Sequence, residues 1–157
     1  MSNSKYRPGQ QKYTAVHKKL AKRNVQVGSL TCPVCEWCAE STEHVFTGCS
    51  LAVEVWAAVG QWCRLSPVLA FGVKELLEIF KEAAGSKWGK NIIHGIIMVS
   101  CWCIWLARNE KIFQDKVISG RVVMANIKRL SVFWLNHRSK YKELSWDSWI
   151  KYPLYVM

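Results

Sequence analysis

The chain has 157 residues, half of them apolar and nine of them tryptophan, with a formal charge of +11. That length allows one domain with a real core, and the apolar share excludes an extended, coreless chain. Seven cysteines, an odd number, follow an opening stretch "MSNSKYRPGQQKYTAVHKKLAKR" that lacks the apolar run of a secretory signal; this predicts a nuclear or cytoplasmic protein, not a secreted one, whose cysteines are thiols or metal ligands.

Residues 1–23 read as a basic tail. The first 30 residues hold seven basic side chains and no acid, among them Lys12, Lys18, Lys19, Lys22 and Arg23, so the excess charge is concentrated there. Residues 24–64, where Cys32, Cys35, His44 and Cys49 stand at metal-ligand spacing, follow as a zinc-binding module with its own helix, and 65–157 as a helical region packing on it. Between Thr31 and Cys63 the charge reverses: Glu36, Glu40, Glu43 and Glu54 stand with no lysine or arginine.

Within that acidic stretch, "CPVCEWCAESTEHVFTGC" places Cys32, Cys35, His44 and Cys49 in the spacing C-x2-C-x8-H-x4-C. Two close pairs of soft or borderline donors suit tetrahedral zinc, and four protein ligands make the ion structural, with no position left for a water nucleophile. Cys38 is a fifth candidate that could take the place of Cys35, although the x2 knuckle around Pro33 is the more usual arrangement. One structural Zn2+ is expected. Ser50, directly after Cys49, can cap a helix whose positive dipole end would lie beside a zinc centre of net charge −1.

Helical spacing then dominates. "SLAVEVWAAVGQWC" aligns Ala52, Val55, Trp56, Val59 and Trp62 or Cys63 on one stripe, and "GVKELLEIFKEAAG" aligns Val73, Leu76, Leu77 and Phe80 before a stop at Gly85. A third helix begins near Lys90. Its stretch 92–107 is nearly all apolar but shorter than the roughly 20 residues of a bilayer span, so it is expected to be a central core helix, with Trp102 and Trp105 buried or half-buried and no membrane contact. On it His94 reads as a core or boundary residue, and Cys101 and Cys103, two positions apart and on different faces, as small core hydrophobes rather than joint ligands. A fourth helix near Ser119 carries Val123, Ile127, Leu130 and Trp134 at i, i+4, i+7 and i+11. "SWDSWI" closes the pattern as a short turn with Trp146, Trp149 and Ile150 on one side. These elements predict a mainly α fold: a small helical bundle with an N-terminal CCHC zinc knuckle.

"CPVCEWCAESTEHVFTGCSLAVEVW", preceded by "KKLAKRNV" and followed by the W-x-I-W-x-x-R-N-x-x-I-F run from Trp102 to Phe113, resembles the zinc-binding domain found C-terminal to the reverse transcriptase in plant non-LTR (LINE-type) retrotransposons. The resemblance is close over 14–62. It implies an accessory domain of a polymerase that helps engage template nucleic acid, with Cys32, Cys35, His44 and Cys49 at the metal positions. The sequence departs from such a polymerase in having only two aspartates, Asp115 and Asp147, too few for a two-metal polymerisation or RNase H centre built on aspartates; a free-standing or truncated derivative is expected.

Two functions follow, neither enzymatic, because no nucleophile signature surrounds Cys63, Cys101 or Cys103. The first is a non-catalytic nucleic-acid-binding module. Lys12, Lys18, Lys19, Lys22 and Arg23, with Lys128, Arg129, Arg138, Lys140 and Lys142 of a late basic segment that contains no acid, would neutralise the phosphate backbone of single-stranded RNA or DNA with little sequence preference, Tyr13 or Tyr141 stacking on bases. The alternative is a protein-interaction or structural remnant of a retroelement. In both, the zinc cluster is a scaffold.

Overall fold

In the computed structural model the longest helix spans Lys87–Gln114, and the rest of the described chain is arranged along it. Residues 31–65, 68, 70–82, 86–138 and 144–156 are described, without the side chains of 82, 138, 155 and 156. The basic residues Lys12, Lys18, Lys19, Lys22 and Arg23, with Tyr13, Gly85, Lys140, Tyr141 and Lys142, lie outside the described residues. Thr31–Met157 form one unit by their contacts. A π-helical turn at His44–Gly48 leads into α1 (Ser50–Cys63), α2 (Val73–Glu82), α3 (Lys87–Gln114), α4 (Gly120–Arg138) and α5 (Trp146–Lys151), with a final 3-10 turn at Pro153–Val156. Among the described residues β-structure is limited to one bridge, Thr31 to Ala39, so the fold is mainly α as expected.

α3 starts where Ser86 accepts a bond from the Gly89 N–H at 3.2 Å, and ends where Asp115 turns left-handed at φ 47°. One face buries Ile92, Ile93, Ile96, Ile97, Cys103 and Ile104. Ser100 is buried among them without cost, because its hydroxyl bonds the Ile96 carbonyl at 2.8 Å. At 28 residues the helix exceeds the expected 92–107 core, so length no longer argues against a membrane span; half of its most apolar window is buried against the neighbouring helices. Trp102 and Trp105 depart from expectation. Both are exposed, because they lie on the face of α3 opposite the isoleucines.

α1 occupies the expected range and buries the expected stripe, but Cys49, not Ser50, takes the N-cap position, and no side chain caps the helix. In α4 the buried line runs through Val123, Ile127, Ser131 and Leu135, with Val132 beside it, rather than through Leu130 and Trp134. Ser131 continues the i, i+4 row because its hydroxyl bonds the Ile127 carbonyl at 2.6 Å, a satisfied polar group that an apolar-only pattern passes over. Leu130 is half-buried, and the partly exposed Trp134 lays its ring on Gly95, where an added methyl would come within 3.0 Å. α4 begins at Gly120, where an added methyl would meet the Glu54 carboxylate and turn that flexible side chain aside.

The C-terminal turn locks onto α1 and α4 through tryptophan. Trp149 is fully buried, its indole donates to the Lys128 carbonyl at 2.9 Å, and its own carbonyl accepts from the Trp62 indole at 3.0 Å, the rings meeting edge to face at 5.4 Å. Trp146, expected on the same side, is exposed, and Ile150 is half-buried. His94 lies at the boundary against Phe80 of α2, ring centroids 4.4 Å apart.

Candidate metal centre

Four side chains separated by up to 17 positions in sequence converge at the N-terminal edge of this unit. Cys32-Pro33-Val34-Cys35 forms a tight knuckle: the Glu36 N–H returns to the Cys32 carbonyl at 2.8 Å, and the Cys32 N–H bonds the Cys38 carbonyl at 2.8 Å. Glu36 takes a left-handed φ of 60°, which reverses the chain. The π-helical turn supplies His44, whose N–H bonds Ser41 Oγ at 2.9 Å. Its far end is held by the Trp56 indole, which donates to the Phe46 carbonyl at 2.7 Å. Cys49 follows in extended conformation and opens α1.

The donor atoms of Cys32, Cys35, His44 and Cys49 all lie within 4.8 Å of one another. Cys32 Sγ is 3.9 Å from Cys49 Sγ, and Cys35 Sγ is 3.3 Å from His44 Nε2. A tetrahedron with bonds of about 2.0–2.3 Å has edges of about 3.3–3.8 Å, so the cluster fits one structural zinc. The electrostatics agree. Burial pushes the Cys32 thiol up to about 11, the Cys35 and Val34 N–H groups draw it back, and the neighbouring Cys49 side chain raises it again. Cys35 is drawn the other way: burial raises it, but the N–H groups of Trp37 and Cys38, then the Cys32 and Cys49 thiols, leave it net below the ordinary thiol value. Cys38 contributes its backbone, the carbonyl to Cys32 and the N–H to Cys35; its side chain is exposed and stands apart from the four.

The acidic residues around the cluster have structural uses that sequence reading missed. Arg108 of α3 forks onto Glu40, Nε to Oε2 at 3.0 Å with a second, shorter bond from Nη2 to Oε1, and its Nη1 reaches Asn109 Oδ1 at 3.2 Å. The Arg-Asn pair of the W-x-I-W-x-x-R-N motif therefore anchors the zinc loop to the central helix. Glu43 accepts the Val73 N–H at 2.6 Å and so caps α2. One signal for the first pairing was available: Arg108 is the first charge after Lys90 on an apolar helix, and such an arginine needs a carboxylate. The negative surface expected around the zinc is accordingly reduced by Arg108.

Of the basic residues expected to meet phosphate, Lys128 is engaged inside the fold. Its ammonium donates to the Ile150 carbonyl at 2.9 Å and lies 5.2 Å from the Trp62 ring centre, and burial draws its pKa down. Arg129 is on the surface, bonded to Asn126 Oδ1 at 3.3 Å. Arg138 ends α4. The remaining thiols are unlike nucleophiles: burial pushes Cys63 up to about 12, and Cys101 and Cys103 up to about 11.

A family model described as zinc-binding in reverse transcriptase matches residues 9–56. Neither a curated protein nor a solved structure matches the chain. The matched residues take in all four ligands and Trp56, and stop inside α1, short of Arg108. Residues 9–56 are thus similar to a reverse transcriptase zinc-binding domain, with the Cys3His donor set of that segment arranged for one structural zinc.

Proposed function

We propose that the chain is a non-catalytic, zinc-stabilised module that binds nucleic acid, derived from the C-terminal region of the reverse transcriptase of a plant non-LTR (LINE-type) retrotransposon and working in the nucleus or cytoplasm. The observation that carries this reading is the extent of the family match: residues 9–56 join the basic run Lys12, Lys18, Lys19, Lys22 and Arg23 to the Cys3His cluster in one segment. Zinc supplies shape, not chemistry, since all four positions of a tetrahedral ion are taken by protein. Contact falls to the basic residues. Their phosphate pairing makes binding tight at low salt and weakly sequence-specific. RNA or DNA in single-stranded form is the expected ligand.

The test is a salt titration of binding to single-stranded RNA and DNA by the full chain. Changing Lys18, Lys19, Lys22 and Arg23 together to glutamine should weaken binding and flatten the slope of log K against log salt by up to about four, roughly one per lost phosphate contact. Absence of any salt-sensitive binding in the intact protein overturns the proposal in favour of an interaction or structural role. The exposed tryptophans of α3 favour that second reading.

A further inference from the structure

The motif around Arg108 is only half explained by the fold. Ile104 is buried and Arg108 holds the zinc loop, but Trp102, Trp105 and Ile112 lie on the outer face of α3, 54%, 41% and 40% exposed, with Met98 above them at 50%. Counted along α3, Met98, Trp102, Trp105, Asn109 and Ile112 are separated by four, three, four and three residues. That alternation is the period of a seam that receives another helix; an extended peptide or a strand would call for a period of two. Trp102 and Trp105 stack on each other at 5.0 Å and 27°, so the centre of the seam is already ordered. Where it lacks a side chain, at Gly95, the Trp134 ring of α4 fills the gap and extends the apolar surface.

We propose that this face of α3 is a dimer interface, occupied by α3 of a second copy of the chain running antiparallel. The stripe is self-complementary about a two-fold axis between Trp102 and Trp105: Trp102 then meets Trp105 of the second copy, and Met98 meets Asn109 of the second copy. Charge selects the direction. α3 opens with Lys87 and Lys90 and closes with the balanced set Glu110, Lys111, Asp115 and Lys116 at its negative dipole end, so a parallel pair brings the two basic ends together whereas an antiparallel pair sets each against the other's C-terminal end. The exposed parts of these side chains, with Phe113 and Trp134, offer on the order of 500 Å² per copy, about 1,000 Å² for the pair. This is the lower edge for a specific interface, and the dimer is a reversible one. The inference stands independently of nucleic-acid binding, which rests on the N-terminal basic residues.

Sedimentation velocity of the zinc-loaded full chain across the micromolar range should show a monomer–dimer equilibrium. Trp102→Glu with Trp105→Glu should raise the dissociation constant at least about 30-fold, since central tryptophans dominate such interfaces, with zinc content and helical circular dichroism unchanged. A second pair of variants tests the geometry and covers the case in which the double glutamate misfolds. Met98→Glu alone should weaken the dimer, and Met98→Glu with Asn109→Lys should restore it, because these positions, about three turns apart on one helix, can pair only between antiparallel copies. A monomer at every concentration overturns the proposal, as does a dimer indifferent to both sets. Loss of RNA binding in the tryptophan variant of a strictly monomeric protein would reassign the face to nucleic acid, and sedimentation of monomer with lipid vesicles would reassign it to a membrane surface.

Discussion

Residues 31–49 bury Cys32 and Cys49 and little else, while α3 buries a full face of isoleucine against three other helices. The first region withdraws much less apolar surface from water, Val34, Val45 and Phe46 being only partly buried against the core, so its conformation depends largely on a metal, a few backbone bonds and the Arg108–Glu40 fork. The second is held by burial, each isoleucine worth about 1.5–3 kcal/mol removed from water. A short polar loop can therefore keep a defined shape beside a hydrophobic bundle, but by attachments that can be cut one at a time.

The largest separation of the two regions should come from the metal. Cys49→Ser should abolish zinc retention, read by native mass spectrometry, and forfeit a large part of the roughly 10 kcal/mol or more that structural zinc contributes to small sites at neutral pH. Amide exchange should accelerate first over 31–49 and last in α3 and α4. Equal loosening of all helices would show that the loop and the bundle are one cooperative unit. The complementary cut is Ile96→Ala, at a fully buried position: about 2–5 kcal/mol of stability should be lost by denaturant titration, with zinc retained.

Alkali should reach the bundle by a different route. Burial raises Cys63 to about 12 and Cys101 and Cys103 to about 11, above the ordinary thiol value of 9.0. Above that ordinary value the unfolded chain releases these protons while the folded chain keeps them. Stability is therefore complete below pH ~9 and falls as pH rises towards the folded values, by at most about 1.4 kcal/mol per pH unit for each thiol. Cys63→Ala should make the slope shallower between pH ~9 and ~11; an unchanged slope would remove Cys63 from this account.

Smaller effects probe the attachments themselves. Arg108→Gln removes the fork to Glu40, and because both side chains are about a quarter exposed the loss should be near 1 kcal/mol, seen as a lower zinc affinity with an intact α3. Trp56→Phe keeps one aromatic ring but removes the indole bond to Phe46, worth about 1 kcal/mol, and part of a buried ring, and should loosen the turn that carries His44. If either variant lowered bundle stability more than zinc affinity, the division between metal-held loop and apolar core would be misplaced.

Much of this was legible in the sequence because it rests on local chemistry. The ligand spacing defined the donor set, since two close pairs of soft ligands have few other uses, and the spacing of Ala52, Val55, Trp56 and Val59 marked the inner face of α1, since helical geometry alone brings such residues together. Periodicity tells which residues share a face but not which faces acquire a neighbour. That is why Trp102 and Trp105, expected buried or half-buried, are about half exposed on the outer face of α3, and why Ser131, satisfied by its own helix, belongs to the buried row of α4 while Trp134 does not. The union of Glu40 with Arg108, 68 residues apart, also waited for the tertiary structure: an isolated charge shows that a partner is needed, and only the packing of the zinc loop on α3 decides which carboxylate comes within reach.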